Sequence, residues 1–190
     1  MAEAIPPTSP TPVIARPPDN LGGATVNVGS GVNDLQTAIS AAINANGTHK
    51  GNTLVVPAGV TYNPVTMPAT SGAGWTAIRS ASGSLPAAGA RVSPSAASAM
   101  FKVVSSGVIN TARAVTIPPG SNGWRTIGME ATHPNTTDQY GLIDADGARV
   151  RFERCYIHGI PAATFLARCF FVRGDDFQIH DSWVSEAQAL

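Results

Sequence analysis

One arrangement of apolar and polar positions occurs twice in residues 142–186. Residues 143–147 align with residues 170–174, with apolar side chains on apolar side chains and glycine on glycine. The same offset of 27 residues places residues 150–157 on residues 177–184, and it aligns aromatic with aromatic, β-branched with β-branched and small with small side chains. A unit of this length, with short apolar alternations and polar corners, is too short for a pair of helices. It predicts one coil of a β-solenoid.

An amphipathic helix is predicted near the N-terminus. Asn33 is placed to cap it, Gln36 stands in the capping-box position, and Gly47 supplies a left-handed stop. The apolar stripe of this helix needs a surface to cover, so we expect it to plug the open end of the solenoid. The stripe follows the spacing of one helical face, at Leu35, Ala38, Ile39, Ala42 and Ile43.

Strand patterns fill most of the chain between this helix and the repeat. A Pro-Ala-Gly turn at residues 57–59 separates two predicted strands, and a long excursion rich in Ser, Ala, Gly and Pro is predicted up to Met100. Insertions of this kind leave a solenoid on one face, often the binding face. About three regular coils are recognisable in this way, close to the minimum for a stable array. The predicted strands are residues 53–56, 60–62, 75–80, 101–104, 114–117 and 124–130.

Composition supports an all-β fold and removes two classes of partner. Gly and Pro number 19 and 15, and only 13% of residues are charged, which is typical of turn-rich β proteins. Lys plus Arg equal Asp plus Glu at 12 each, so we expect no nucleic-acid binding. No apolar run approaches the ~18 residues of a membrane span. Cys155 and Cys169 are expected to be small buried thiols, with a disulfide between them as the alternative.

The N-terminal segment, residues 1–23, differs from the rest because it contains six prolines. This composition predicts an extended linker or a disordered tail over residues 1–23 and a single β domain over residues 24–190. The start lacks the basic and apolar regions of a secretory signal. No capping unit follows Val184, so we expect further coils, self-association or another chain at the open C-terminal end.

Two groups of segments carry a family resemblance. Residues 33–39 and 54–62 resemble the N-terminal cap of the pectate-lyase-like superfamily, while residues 124–130, 152–159 and 179–185 resemble a group of bacterial β-helix proteins. The resemblance implies a right-handed parallel β-helix with an N-terminal amphipathic cap helix. It further implies an extracellular or cell-surface protein that acts on or binds polysaccharide. It does not select an activity, because this solenoid hosts lyases, hydrolases, epimerases and non-catalytic surface proteins.

Four side chains of the repeat are expected to lie together on the outside of the solenoid. Inward-pointing neighbours force Asp144 and Asp146 outward in one coil and Phe171 and Arg173 outward in the next, ~4.8 Å away. The functional hypothesis is a sugar-stacking ring beside acid, base and uronate-neutralising groups, with Asp144, Asp146 and Arg173 catalytic. The alternative is a surface salt bridge with Phe171 packed under a loop.

His158 and Asp175 are further candidates for substrate contact. His158 precedes Gly159 and a loop with Pro161, where an imidazole could face a substrate or only water. Asp175 and Asp176 follow Gly174 at a corner, where Asp commonly caps a turn. Carboxylates are ligands for Ca²⁺, but no Asp-rich loop supplies the further oxygen ligands that a calcium site needs. Ca²⁺ is therefore kept only as a cofactor hypothesis. The histidines lack zinc-site spacing, and we expect no metal ligands.

The same register stacks two complementary pairs, Glu153 under His180 and Arg154 under Asp181, which we expect to fix the alignment of the coils. Two functional classes stay open. One is an enzyme, either a polysaccharide lyase or a glycoside hydrolase. The other is a non-catalytic structural or adhesin module, or a phage-tail-like β-helix.

Overall fold

The computed structural model describes residues 21–106, 113–134, 141–159 and 168–185, which form a parallel β-solenoid of about five turns. Among these residues one α-helix, α1, spans Asp34–Ala41, and one 3-10 turn spans Pro94–Ala99. The strands are β1 Thr25–Asn27, β2 Thr53–Val56, β3 Thr61–Tyr62, β4 Val65–Thr66, β5 Thr76–Ser80, β6 Phe101–Val104, β7 Val115–Ile117, β8 Asn122–Ile127, β9 Met129–Thr132, β10 Ile143–Ala145, β11 Ala148–Glu153, β12 Tyr156–His158, β13 Phe170–Val172, β14 Phe177–His180 and β15 Trp183–Ser185.

Three parallel sheets run the length of the solenoid. Sheet 1 has the order β1-β2-β5-β8-β11-β14, sheet 2 has β3-β6-β9-β12-β15, and sheet 3 has β4-β7-β10-β13. From β2 onward the chain visits sheets 1, 2 and 3 in turn, so each coil adds one strand to each sheet, and the first coil is the one that begins with β2. Every interior strand therefore bonds to the coil before it and the coil after it, which satisfies its backbone groups.

The predicted register between the two copies of the repeat is confirmed between the last two strands of each sheet. Ile143 pairs with Phe170 between β10 and β13, and Asp144 pairs with Phe171. The register continues between β11 and β14 and between β12 and β15. The count of about three coils was too low, because β2 to β7 form two earlier coils whose spacing differs from the repeat.

The inward side chains fill one apolar core along the axis. Phe101, Trp124 and Phe152 each expose 1% or less of their surface. The indole nitrogen of Trp124 donates to Ser121 Oγ at 2.8 Å, so its polar atom is satisfied inside the core. Cys155 and Cys169 are free buried thiols, and burial raises the pKa of Cys155 to about 12.

Helix α1 buries Leu35 and Ile39 in this core, as its apolar stripe predicts. The predicted capping box is wrong, since Asn33 makes no side-chain cap hydrogen bond. Gln36 instead pairs with the backbone of Thr66: its amide nitrogen donates to the carbonyl at 3.0 Å, and its amide oxygen accepts from the N–H at 2.7 Å. Because β4 is an edge strand of sheet 3, the Gln36 amide replaces the neighbouring strand that Thr66 lacks.

The helix ends at Ala41 and not at the predicted stop. Ile43 bridges His49 in antiparallel fashion, and Gly47 between them has φ +79°. Gly47 therefore turns a small hairpin, for which the left-handed conformation is required.

At each of two corners of the coil, one residue has a left-handed backbone conformation. Arg149 and Asp176 occupy one corner in successive coils, and Arg154 and Asp181 occupy the other, with φ between 51° and 56°. The corresponding positions one coil earlier are glycines, Gly123 and Gly128. A non-glycine residue in this conformation costs roughly 1–2 kcal/mol, so the arginines and aspartates are held there by other contacts.

The predicted excursion leaves the solenoid at the corner between β5 and β6, over residues 81–100. Its Val92 and Met100 form a second apolar cluster with Tyr156, and Trp183 packs against it. The backbone N–H of Val92 donates to the Asp181 carbonyl at 2.8 Å. The loop thus begins in the second coil and contacts the fourth and fifth.

The predicted Arg154–Asp181 pair is wrong because this loop takes both partners. Arg154 Nη1 donates to the carbonyl of Pro86 at 2.9 Å, and Asp181 Oδ2 accepts the N–H of Gly89 at 2.7 Å. The two residues do share a column of the solenoid, as the register requires. Their side chains fasten the loop and not the coils to each other.

The inward positions on the last strand of each sheet are partly open. Val172, Ile179 and Val184 are 41%, 40% and 40% exposed. Their partners one coil earlier, Ala145, Phe152 and Ile157, are fully buried. Most of the predicted tail at residues 1–23 and the end of the chain at residues 186–190 lie outside the described residues. Within the described part of the chain, no helix is long and apolar enough to cross a bilayer.

Candidate functional site

The outer surface of sheet 3 brings together the four side chains that the repeat predicts there. Ile143 and Ala145 point into the core, which directs Asp144 outward on β10. Arg173 follows β13, and its Nη2 donates to Asp144 Oδ1 at 3.0 Å and to Asp146 Oδ2. One guanidinium therefore joins two carboxylates across adjacent coils.

Phe171 lies beside this ion-pair group and is covered by cations. The guanidinium carbons of Arg173 and Arg168 lie 4.2 Å and 5.3 Å from its ring centroid, within the range of cation–π attraction. A third guanidinium, of Arg113, has its Nε 3.7 Å from Asp144 Oδ2. The Phe171 ring is therefore engaged by two arginines.

The electrostatics of this surface favour ion pairing. The hydrogen bond to Asp146, together with the charge of Asp144, raises the pKa of Arg173 against a smaller desolvation effect. Asp146 Oδ1 is buried and has no hydrogen-bond partner among the described residues. It is an acceptor that a donor group on a ligand would satisfy.

The candidate His158 is the last residue of β12, and its side chain is only 15% exposed. Strand β12 continues through it, and its ring stacks on Tyr156 at 4.0 Å with an interplanar angle of 14°. Its Nε2 lies 3.0 Å from Glu130 Oε1, and Lys102 Nζ lies 2.9 Å from the same oxygen. This charged cluster lies on the outside of sheet 2, while Asp144 and Arg173 lie on sheet 3.

The protonation states in this cluster follow from its contacts. Burial alone would raise the pKa of Glu130, but hydrogen bonds from His158 and Lys102 and their charges lower it overall. Glu130 is therefore a carboxylate to which His158 Nε2 donates. His158 Nδ1 lies 2.7 Å from the carbonyl of Gly159, which can only accept. The imidazolium form of His158, with a hydrogen on each ring nitrogen, would satisfy both contacts.

Sequence reasoning missed Lys102 and Glu130. The available signal was that the two residues stand about one coil apart along the chain. The register confirms this spacing by pairing them between β6 and β9.

Asp175 is exposed at the corner after β13, and its backbone carbonyl accepts the N–H of Arg149 at 3.1 Å. The turn-forming role belongs to its neighbour. Asp176 has φ 56°, and its carboxylate accepts a hydrogen bond from Gln178 Nε2 at 2.9 Å.

The outer face of sheet 1 holds a buried ion pair that the sequence did not indicate. Arg125 Nε and Nη2 donate to the two carboxylate oxygens of Glu153 at 2.8 Å and 2.9 Å. The side chains are 1% and 6% exposed. Glu153 is in register with His180, as predicted, but its carboxylate turns toward the coil below. A two-pronged guanidinium is a stronger partner than an exposed imidazole.

No group of three or more His, Cys, Asp and Glu side chains in the described ranges is arranged to hold a metal ion. Asp144 and Asp146 are both occupied by Arg173, which leaves them poor candidates for a Ca²⁺ site.

Comparisons with family models, with curated proteins and with solved structures found no match for this chain. The solenoid and its surface side chains therefore carry the functional argument.

Proposed function

We propose that this protein is an extracellular or cell-surface β-helix that binds polysaccharide through the outer face of sheet 3. The resemblance to the pectate-lyase-like superfamily supports this proposal. In the same proposal the solenoid is right-handed, as nearly all parallel crossover connections are, and α1 covers its N-terminal end.

The observation that carries the proposal is the alignment of polar and aromatic groups along the axis. Thr116, Asp144 and Phe171 form one outward column of successive coils, and Arg173 lies beside it. Parallel strands repeat every ~4.8 Å, so such a column offers contacts at regular intervals to an extended polymer. Arg173 is 48% exposed, so its guanidinium can contact the carboxylate of an acidic sugar.

Binding is favoured over catalysis because the two carboxylates are already paired with an arginine. A polysaccharide lyase or glycoside hydrolase needs a group free to accept or donate a proton at the sugar. The enzyme hypothesis requires that a substrate release Asp144 or Asp146 from Arg173. An absorbance assay for unsaturated products and a reducing-end assay test it directly with the same purified protein.

The binding test is calorimetry with an acidic polysaccharide, polygalacturonate, and a neutral one, dextran. Arg173→Ala and Phe171→Ala should weaken binding by about tenfold or more, which corresponds to about 1.4 kcal/mol. Arg91→Ala removes an arginine that contacts the Trp183 ring, and it serves as the matched control with unchanged affinity. Equal losses in all three variants, or no binding by the wild type, would contradict the proposal.

A structural or adhesin module is the second candidate, favoured by the half-open inward positions on the last strand of each sheet. Val172, Ile179 and Val184 expose apolar surface where another coil or chain would pack. Light scattering over a range of concentrations tests it. A mass that grows with concentration supports association at this end, and a constant monomer mass contradicts it.

A further inference from the structure

A cavity of about 530 Å³ lies between the excursion loop and the outer face of sheet 1. Arg79 and Arg125 face it from strands β5 and β8, and Arg154 faces it from the corner after β11. Ser82 and Leu85 contribute the side of the loop. The volume lies within the range of about 300–1,000 Å³ that is typical of small-molecule sites.

The charges around this cavity are unbalanced. Three guanidinium groups and no carboxylate are found among the described residues that line it. Arg125 is compensated by Glu153. Arg79 is exposed and makes no side-chain hydrogen bond or ion pair within the described part of the chain. Arg79 therefore contributes an uncompensated positive charge to the cavity.

Arg154 is the second uncompensated cation. Its Nη1 donates to the neutral carbonyl of Pro86, while its Nε is buried without a hydrogen-bond partner among the described residues. A buried donor of this kind is costly unless a ligand or water accepts its hydrogen. An anion between Arg79 and Arg154 would satisfy both the charge and the donor.

The backbone at Arg154 supports a role beyond the corner itself. Its φ of 51° is left-handed, and the equivalent residue one coil earlier is Gly128. Glycine makes this corner without strain, so the position has no conformational need for arginine. The sequence places a long cation there in spite of the strain, and its side chain lines the cavity.

We propose that this cavity binds a small organic oxyanion, with a carboxylate, phosphate or sulfate group held between Arg79 and Arg154. Guanidinium groups bind these planar or tetrahedral oxyanions through charge-assisted hydrogen bonds. The apolar wall formed by Ala77, Leu85 and Ile127 contacts the organic part of the ligand. This site lies on sheet 1 and is independent of the polysaccharide surface proposed on sheet 3.

The test is calorimetric titration at low ionic strength with five probes: glucuronate, glucose 6-phosphate, inorganic phosphate, inorganic sulfate and neutral glucose. We expect saturable binding of at least one of the two organic oxyanions, weaker binding of the inorganic ions and no binding of glucose. Glucuronate and glucose 6-phosphate distinguish a carboxylate ligand from a phosphate ligand. Inorganic ions that bind as tightly as both organic probes would overturn the organic part of the proposal.

Substitutions of the arginines that line the cavity test whether the oxyanion binds there. Arg79→Ala and Arg154→Gly should each reduce the affinity by about tenfold or more, since each removes a charge-assisted hydrogen bond. Arg149→Gly is the matched control, because Arg149 has the same left-handed backbone but bonds to the carbonyls of Gly72 and Ala73. Its affinity should be that of the wild type.

Three results would overturn the proposal: no saturable binding of any oxyanion by the wild type, unchanged affinity in Arg79→Ala, or an equal loss in Arg149→Gly. Thermal melting of each variant confirms that it is folded. If Arg154→Gly does not fold, Arg79→Ala alone decides, because this exposed side chain has no structural partner within the described residues.

Discussion

Replacing Glu153 with alanine would leave the Arg125 guanidinium buried without its carboxylate. The two hydrogen bonds of 2.8 Å and 2.9 Å would be lost, and the arginine side chain is only 1% exposed. Removing one partner of a buried ion pair costs about 3–5 kcal/mol. Domains are typically stable by only about 5–15 kcal/mol, so we expect at least a fifth of the folding free energy to disappear.

The double variant Arg125→Met with Glu153→Met removes both charges together. Apolar replacement of a buried pair is often neutral, but the buried Arg151 guanidinium, with its Nη1 3.8 Å from Glu153 Oε1, also loses this carboxylate. The double variant should therefore recover part of the loss, with a coupling energy of about 2 kcal/mol or more. Urea unfolding followed by circular dichroism measures the three free energies. The exposed pair Asp146–Arg173 gives the control, since its removal in the same two-methionine form should change stability little. Additive effects of the two buried substitutions would refute the reasoning.

Three further predictions follow from burial and charge. Ile39→Asp places a carboxylate in the core beneath α1 and should cost several kcal/mol, and a wild-type melting curve would show that the helix does not seal apolar surface. Asp146→Ala and Arg173→Ala should be non-additive in a double-mutant cycle of polygalacturonate affinity, and independent effects would exclude a shared role. The lowered pKa of Glu130 adds stability that is present above pH 4.5 and lost as pH falls through the folded-state value. Glu130→Gln should lack this acid-dependent loss in urea titrations at several pH values.

The repeat predicts the register of the last coils because their connections between sheets 1 and 2 are short and equal. In the earlier coils Thr53 pairs with Ala77 and Ala77 pairs with Arg125, so the second interval is much longer than the first and neither matches the repeat. The excursion of residues 81–100 interrupts the second of these intervals. Self-comparison of the sequence at one fixed period therefore misses the first coils, although their strands are individually recognisable.

The register predicts which residues share a column of the solenoid, but it does not predict which side chains bond to each other. Arg173 reaches the carboxylates of the coil below because the register places them there. The contacts of Glu153 with Arg125 and of His158 with Glu130 cross from one column to the next. They depend on side-chain torsions and on how far each residue is buried, which a register alone does not specify.

The excursion loop changes how the solenoid should respond to a pulling force. A simple stack of coils peels from its end one coil at a time, because each coil contacts only its neighbours. Here the loop from the second coil holds Asp181 and Tyr156 in the fifth and fourth coils. Force applied at the last coil is transmitted through the excursion loop to the second coil, so the interfaces between the coils that lie in between do not carry it alone. Rupture then occurs as one large event that releases four coils together, instead of a series of small events that each release one coil.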